Sequence, residues 1–274
     1  MVPKQLRPLT ALLRAAYRHL LSYPYLRWRY GVRDTKHVAE LHYWKRQESI
    51  AGGRLSNLWY EHRLLGLTEH GDAAALAGKV VADFGCGPCG SLCWAAAAKR
   101  RIGIDVLADV YRRAFDLAAH GYEYVACDER SIPLPTDSVD VLFTLNAMDH
   151  VHDFPAMSAE LLRILRPGGS FYGSFNLDEE PTEAEPQTLS AEEVDEHIAA
   201  HLDDVVRLLS PRGPDGSPYR CCEQRRPAEP GDRPRILWLR GRARGIDEPD
   251  RRRAAPENDR CSRGDSVLHS RRDG

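Results

Sequence analysis

The chain has 274 residues, with 38 lysines and arginines against 40 acidic residues and a formal net charge of -2, so as a whole it offers no general attraction for a nucleic acid. Its length suits one sizeable α/β domain with additions and leaves little room for two full domains. No apolar run approaches the roughly 20 residues of a membrane-spanning helix, and Arg14 and Arg18 interrupt the N-terminal stretch where a signal core would lie.

From Met1 to Lys36 the charges are Lys4, Arg7, Arg14, Arg18, Arg27, Arg29, Arg33 and Lys36 against Asp34 alone. Leu9, Leu12, Leu13, Ala16, Tyr17, Leu20 and Leu21 recur at helical spacing, which predicts an amphipathic basic helix ended by Pro24. The favoured expectation is that its apolar side packs on the domain and its arginines face water; peripheral contact with an anionic membrane surface is the alternative. Val38 to Leu67 reads as two helices broken at Gly52-Gly53 and rich in aromatics, among them Tyr43, Trp44, Trp59 and Tyr60. These either pack in the core or wall a cleft, and Trp59 and Tyr60 are kept as substrate-side candidates.

Val80 to Gly90 reads V-V-A-D-F-G-C-G-P-C-G. An apolar run that breaks into Gly85, Gly87 and Gly90 predicts a buried strand ending in a tight turn, and the alanine-rich stretch Ser91 to Lys99 predicts a helix after it. Asp105 ends a second apolar run twenty positions after Gly85, where an acid at a strand end can bind ribose hydroxyls. The spacing points to a cofactor with an adenosine end and does not separate a nicotinamide cofactor from S-adenosylmethionine.

Beyond it, Val106 to Ala119 reads as a helix, Tyr122 to Cys127 as a strand ending at Asp128, Asp140 to Leu145 as a strand, Ser158 to Leu165 as a helix and Ser170 to Phe175 as a strand. The regular alternation predicts a parallel sheet with helices on both faces. Ala191 to Leu202 reads as a helix capped by Ser190, Val205 to Leu209 and Arg235 to Arg240 as strands, and Pro211 to Pro234 as a long loop. After Gly241 the chain is polar and rich in arginine and proline, which predicts disorder.

Of the seven cysteines, Cys86 and Cys89 form a C-x-x-C pair inside the glycine turn. With no second pair at ligand spacing they read as small buried thiols in a reducing cytoplasm, and no metal is expected. Asp149, His150 and His152 follow the fourth strand at the edge where such sheets bind ligands. His150 is the candidate for general base or substrate contact, its ordinary pKa lying near neutrality, with a structural role as the alternative; Asp149 is a substrate-side candidate.

The run V-A-D-F-G-C-G-P-C-G, then Asp105, then C-D-E-R-S-I-P-L-P-T-D-S-V-D-V-L-F-T-L-N-A-M-D-H-V-H-D, then L-L-R-I-L-R-P-G-G-S-F, resembles the class I S-adenosylmethionine-dependent methyltransferases of the small-molecule type. The resemblance covers Lys79 to about Asn176. It implies a Rossmann-like α/β three-layer sandwich with a mostly parallel seven-stranded sheet, an antiparallel last strand and added N-terminal helices. It divides the chain into a helical cap at 1–78, a cofactor-binding domain at 79–243 and a disordered tail at 244–274.

The same resemblance implies that Asp83 takes the ammonium of the methionine part, with Gly85, Gly87 and Gly90 passing backbone beneath the cofactor. Asp105 would bind the ribose hydroxyls, Asp128 would receive the adenine amino group, and Asn146 would lie beside the methionine portion. The fourth strand ends in N-A-M-D, without the motifs of nucleic-acid base methylation, so the expected acceptor is a small molecule and the expected location cytoplasmic. A nicotinamide-dependent oxidoreductase and a cofactor-binding protein without catalysis are the alternatives.

Overall fold

The apolar runs form seven strands: β1 (Val80–Phe84), β2 (Arg100–Asp105), β3 (Glu123–Ala126), β4 (Val139–Leu145), β5 (Leu165–Leu177), β6 (Leu202–Pro211) and β7 (Arg235–Ala243). They join in one sheet in the order β3-β2-β1-β4-β5-β7-β6. β1 pairs in parallel with β2 and β4, β2 with β3, and β4 with β5, while β7 lies antiparallel between β5 and β6. This is the Rossmann-like, mostly parallel seven-stranded sheet that the sequence implies. The computed structural model describes residue 13 and residues 15–55, 58–68, 71–213 and 219–244, with backbone alone at 58, 59 and 222. The first twelve residues, Arg14 and the tail expected to be disordered from 245 onwards lie outside the described residues.

The helices are α1 (Tyr23–Tyr30), α2 (Thr35–Ile50), α3 (Leu58–Leu67), α4 (Ala108–Ala114), α5 (Phe154–Ile164), α6 (Ala191–His197) and the single turn α7 (Arg220–Glu223). Alternation along the strands sends Val81, Val141, Phe143 and Tyr172 to one face, against Leu64 and Leu67 of α3. Ala82, Phe84, Leu142, Phe171 and Phe175 face the other side, against Met157, Leu161 and Ile164 of α5. A third cluster joins Tyr23 and Leu26 of α1 and Val38 and Leu41 of α2 to Leu107 and Tyr111 around α4. The N-terminal helices are thereby docked beside the glycine turn.

Four local expectations change. Ser91 to Lys99 forms no α-helix: Cys93, Ala95 and Ala98 donate to carbonyls three residues back, and the chain crosses from Gly90 to β2 as successive turns. Arg101 Nη1 donates to the carbonyls of Leu92 and Cys93 at 3.3 and 3.2 Å, Trp94 Nε1 donates to that of Ser91, and these side-chain bonds override the alanine propensity. Pro24 does not end the first helix. A π-helical turn at Arg18–Ser22 leads into α1, where Pro24 stands in the first turn and needs no amide donor.

That helix also packs otherwise than favoured. Tyr23 and Leu26 are buried, but Leu13, Tyr17, Leu20, Leu21, Tyr25 and Trp28 are all exposed. Finally, β5 begins at Leu165, and the R-P-G-G segment bulges out between the Val139–Leu165 and Val141–Ser170 pairs. Its Arg166 pairs with Asp140, whose other oxygen accepts Val80 N at 2.6 Å.

The I-P-L-P loop before β4 is held from α5. Arg163 donates to the carbonyls of Leu134 and Ile132 at 2.9 and 2.8 Å and forks onto Glu160, while Glu160 Oε2 accepts Ile132 N. Replacing Arg163 by alanine strands a largely buried carboxylate and two carbonyls, and should lower unfolding free energy by about 2–4 kcal/mol in urea titrations.

Candidate active site

The winding of the sheet reverses between β1 and β4, and α/β sheets bind ligands in the crevice outside the carboxyl ends at such a point. A cavity of about 950 Å³ opens there, at the upper end of the roughly 300–1,000 Å³ of small-molecule pockets. Gly85 after β1, Asp105 at the end of β2, and Asn146 and Ala147 after β4 reach it from the sheet. Lys36, Glu40, Tyr43 and Trp44 of α2 line it from the opposite side. Tyr60, His150, Asn176, Glu185 and Tyr219 complete the polar and aromatic part of the wall.

The turn after β1 is built on left-handed backbone. Gly85 has φ 72 and Gly87 φ 57, and a Cβ on Gly85 would overlap that of Ala147, while one on Gly87 would come within 2.6 Å of the Trp44 ring. Asp105 holds this turn: its Oδ2 accepts Gly87 N at 3.0 Å and its Oδ1 accepts Leu107 N at 2.8 Å. Burial pushes its carboxyl up to about 6, opposed by those two amide bonds. A carboxylate offers about four lone-pair sites, so Asp105 keeps acceptor capacity toward the cavity it lines.

Asn146 is pinned in left-handed backbone, φ 49. Its amide and its Oδ1 bond Ser174, at 2.9 and 2.7 Å, and its Nδ2 donates to the Tyr219 hydroxyl at 3.2 Å. His150 stands between carboxylates, with Nδ1 3.6 Å from Glu40 and Nε2 3.7 Å from Glu185. Burial alone would lower its pKa, but Glu40, Asp149 and Glu185 outweigh it and raise the value above the ordinary histidine range. Asp149 is buried; its Oδ2 accepts Asn176 Nδ2 at 2.9 Å, while its Oδ1 has no hydrogen-bond partner among the described residues.

Other predicted residues are placed differently. Asp83 is buried beneath the turn, away from the cavity wall, and accepts the Ser91 hydroxyl. Burial raises its carboxyl to about 7, against the Ser91 bond and with help from the nearby Asp105 charge. Gly87 packs against Trp44, and Gly90 against Cys93 and His120. Asp128 is exposed and turned into its own loop, where it accepts Arg130 N, Ser131 N and the Ser131 hydroxyl. Those bonds lower its pKa. The cavity is lined instead by the next residue, Glu129, at the position where the sequence suggested Asp128. The side chain of Trp59 lies outside the described residues.

Several wall residues carried no local signal. Lys36 Nζ bonds Glu129 at 2.6 Å and the His150 carbonyl at 2.8 Å, and His37 Nε2 lies 2.9 Å from the same Glu129 oxygen. Burial would raise Glu129, but these contacts bring it down to about 2. Glu185 and Tyr219 come from segments that read as loops, brought in only by folding. Cys86 and Cys89 are free and buried. The described group whose ligand atoms lie close enough to hold a metal ion is Asp149, His150 and Glu185, within 4.8 Å of one another. Glu185 joins Asp149 and His150 from a separate segment of the chain.

The chain has the class I S-adenosylmethionine-dependent methyltransferase fold, and residues 82–173 match the family model described as a methyltransferase domain. It is 31% identical over 153 residues to a probable S-adenosylmethionine-dependent methyltransferase of Mycolicibacterium smegmatis, covering 52% of this chain and 48% of that one. It is 38% identical over 95 residues to a malonyl-[acyl-carrier protein] O-methyltransferase of Yersinia pestis, 34% of each chain. The chain thus spans less than half the length of either relative.

Among solved structures, it superposes on the [4+2]-cyclase SpnF with a TM-score of 0.54 at 16% identity, over 78% of this chain and 98% of that one. A Thermotoga maritima S-adenosylmethionine-dependent methyltransferase, described as a possible histamine N-methyltransferase, gives 0.51 at 14% identity over 76% and 99%. These two likenesses concern the fold alone.

The residues present fit S-adenosylmethionine. The left-handed Gly85 leaves bare backbone at the cavity where a side chain would collide, and Asp105 retains acceptor capacity for a diol. The segment after the turn forms no helix, so it brings no helix N-terminus to a pyrophosphate.

Asp83 provides a pH test. Its folded pKa of about 7 exceeds the unfolded value of 3.8, so the folded state binds the extra proton and this group's contribution to stability falls as pH rises from about 4 to about 7. Asp83→Asn should therefore gain stability relative to the parent across that window and hold the gain above it, roughly 2–4 kcal/mol at pH 8. Parallel denaturant titrations of both proteins at pH 5 and pH 8 measure the difference; an equal gain at both pH values would remove the assignment.

Proposed function

We propose that the protein transfers the methyl group of S-adenosylmethionine to a small-molecule acceptor bound on the His150 side of the cavity. The observation that carries this reading is the convergence of Gly85, Asp105 and Asn146, from three strand ends, on the same cavity as a histidine flanked by carboxylates. When bound, the cofactor supplies a methyl group on a cationic sulfur, already activated for displacement. The chain's own work is then alignment, which is worth up to about 7–11 kcal/mol when reacting atoms are held in attack geometry.

Asp105 would accept from the ribose hydroxyls, and Asn146, locked by Ser174 and Tyr219, would fix the methionine end. An acceptor carrying an ionisable O–H or N–H needs a base, and His150 is placed to take that proton. Glu40 and Glu185, facing its two ring nitrogens, stabilise the imidazolium that results. Similarity to a protein described as an O-methyltransferase supports an oxygen acceptor.

Incubating the protein and methyl-labelled S-adenosylmethionine with metabolite extracts tests the reading directly. Label should enter a low-molecular-weight product; binding of NADH in place of S-adenosylmethionine would overturn it. Asp105→Asn should weaken S-adenosylmethionine binding at least about tenfold by calorimetry, close to 1.4 kcal/mol, with the fold retained.

The base role has its own signature. Because His150 must be neutral to act, turnover should rise with pH around and above neutrality. Glu40→Gln removes the largest charge contribution that raises the His150 pKa, so the rise should move to lower pH. His150→Gln should abolish the rise and lower turnover by about 100-fold or more. An unshifted profile in Glu40→Gln would return His150 to a structural part.

A further inference from the structure

Large apolar side chains on a helix normally face the core, and a soluble domain seldom exposes several together. The helical run ending in α1 does so: Leu13, Tyr17, Leu20, Leu21, Tyr25 and Trp28 are each 54–80% exposed. Their spacing of three, four and seven residues aligns them along one side, while Tyr23 and Leu26 face the domain and are buried. The helix is therefore already anchored by a different face, and the exposed stripe contributes nothing to the domain's own core.

Residues 13–33 contain arginines and no acidic residue. Arg27, Arg29 and Arg33 are exposed in or just after α1, and Arg113 Nη2 donates to the Tyr30 carbonyl at the end of the helix. The acids bonded to the segment are otherwise engaged. Asp34 caps α2 through Lys36 N and His37 N, and Glu183 accepts the Tyr23 hydroxyl and lies 3.5 Å from His19. No described helix is long and apolar enough to cross a membrane.

We infer that the exposed face of residues 13–28 is a docking surface for an anionic lipid bilayer, with the helix lying in the plane of the interface. Leucines reach the acyl boundary, the tyrosines and Trp28 sit at headgroup depth, and the arginines meet lipid phosphates. A second copy of the chain would set the same arginines against one another, so charge complementarity favours the lipid. The surface rests on observations independent of the methyl-transfer reading.

Cosedimentation of the full chain with vesicles tests this. The chain should partition to phosphatidylcholine vesicles carrying about 30% phosphatidylglycerol and only weakly to pure phosphatidylcholine, with binding falling as salt rises. Leu20→Ser with Trp28→Ser, both at exposed positions, should cut partition at least about tenfold while leaving the thermal transition in place. Should that pair fail to fold, Arg27→Gln with Arg29→Gln should lower partition several-fold and flatten its salt dependence. No sedimentation with anionic vesicles, or equal partition of parent and variants, overturns the proposal. So does a dimer in size-exclusion chromatography that the apolar substitutions dissolve while vesicles leave the chain unbound.

Discussion

The Asp105 carboxylate is the contact on which the site depends. By accepting Gly87 N with one oxygen and Leu107 N with the other, it ties the turn after β1 to the turn after β2. Holding a charge in a buried position costs free energy, visible as the upward shift of its pKa to about 6. The two amide bonds offset part of that cost and leave further acceptor capacity on a residue that lines the cavity. The structural tie and the proposed ribose contact thus fall on one side chain, and Gly85 leaves bare backbone beside it at the cavity.

A second set of contacts closes the opposite wall. Lys36, itself buried, joins α2 to Glu129 after β3 and to the carbonyl of His150 after β4. The N-terminal helices are therefore part of the site's construction as well as a cover for it. The Lys36 ammonium is occupied by Glu129 and a carbonyl, so the His150 ring is left among Glu40, Asp149 and Glu185. That arrangement stabilises the protonated form of His150 and so raises its basicity, as the proposed proton acceptor requires.

Strand positions were legible from the chain because apolar runs of four to seven residues bounded by glycine, proline or acid have few other uses in a parallel sheet. β1 and the three left-handed glycines after it agree with the sequence reading. The segment after them shows where local propensity misleads: Ser91 to Lys99 has helix-forming composition, but Arg101 and Trp94 claim its carbonyls. Pro24 misled for the opposite reason, since a proline that stops one helix is equally at home in the first turn of the next. Asp128 and Glu129 are adjacent, and which of the two faces the cavity depends on a turn closed by Ser131 and on the reach of Lys36 from another helix.

By itself the sequence determined the α/β class, the positions of most strands along the chain, the glycine turn, and the acid and asparagine at the ends of β2 and β4. These follow from periodicity and from backbone angles that only certain residues adopt, both local properties. Tertiary structure alone decided the composition of the cavity wall: that Glu40 and Glu185, some 145 positions apart, would face the two nitrogens of His150, that Tyr219 would steady Asn146, and that the apolar face of the first helix would be left outside. Such pairings depend on where distant segments are carried by the winding of the sheet, and no short-range pattern encodes that distance.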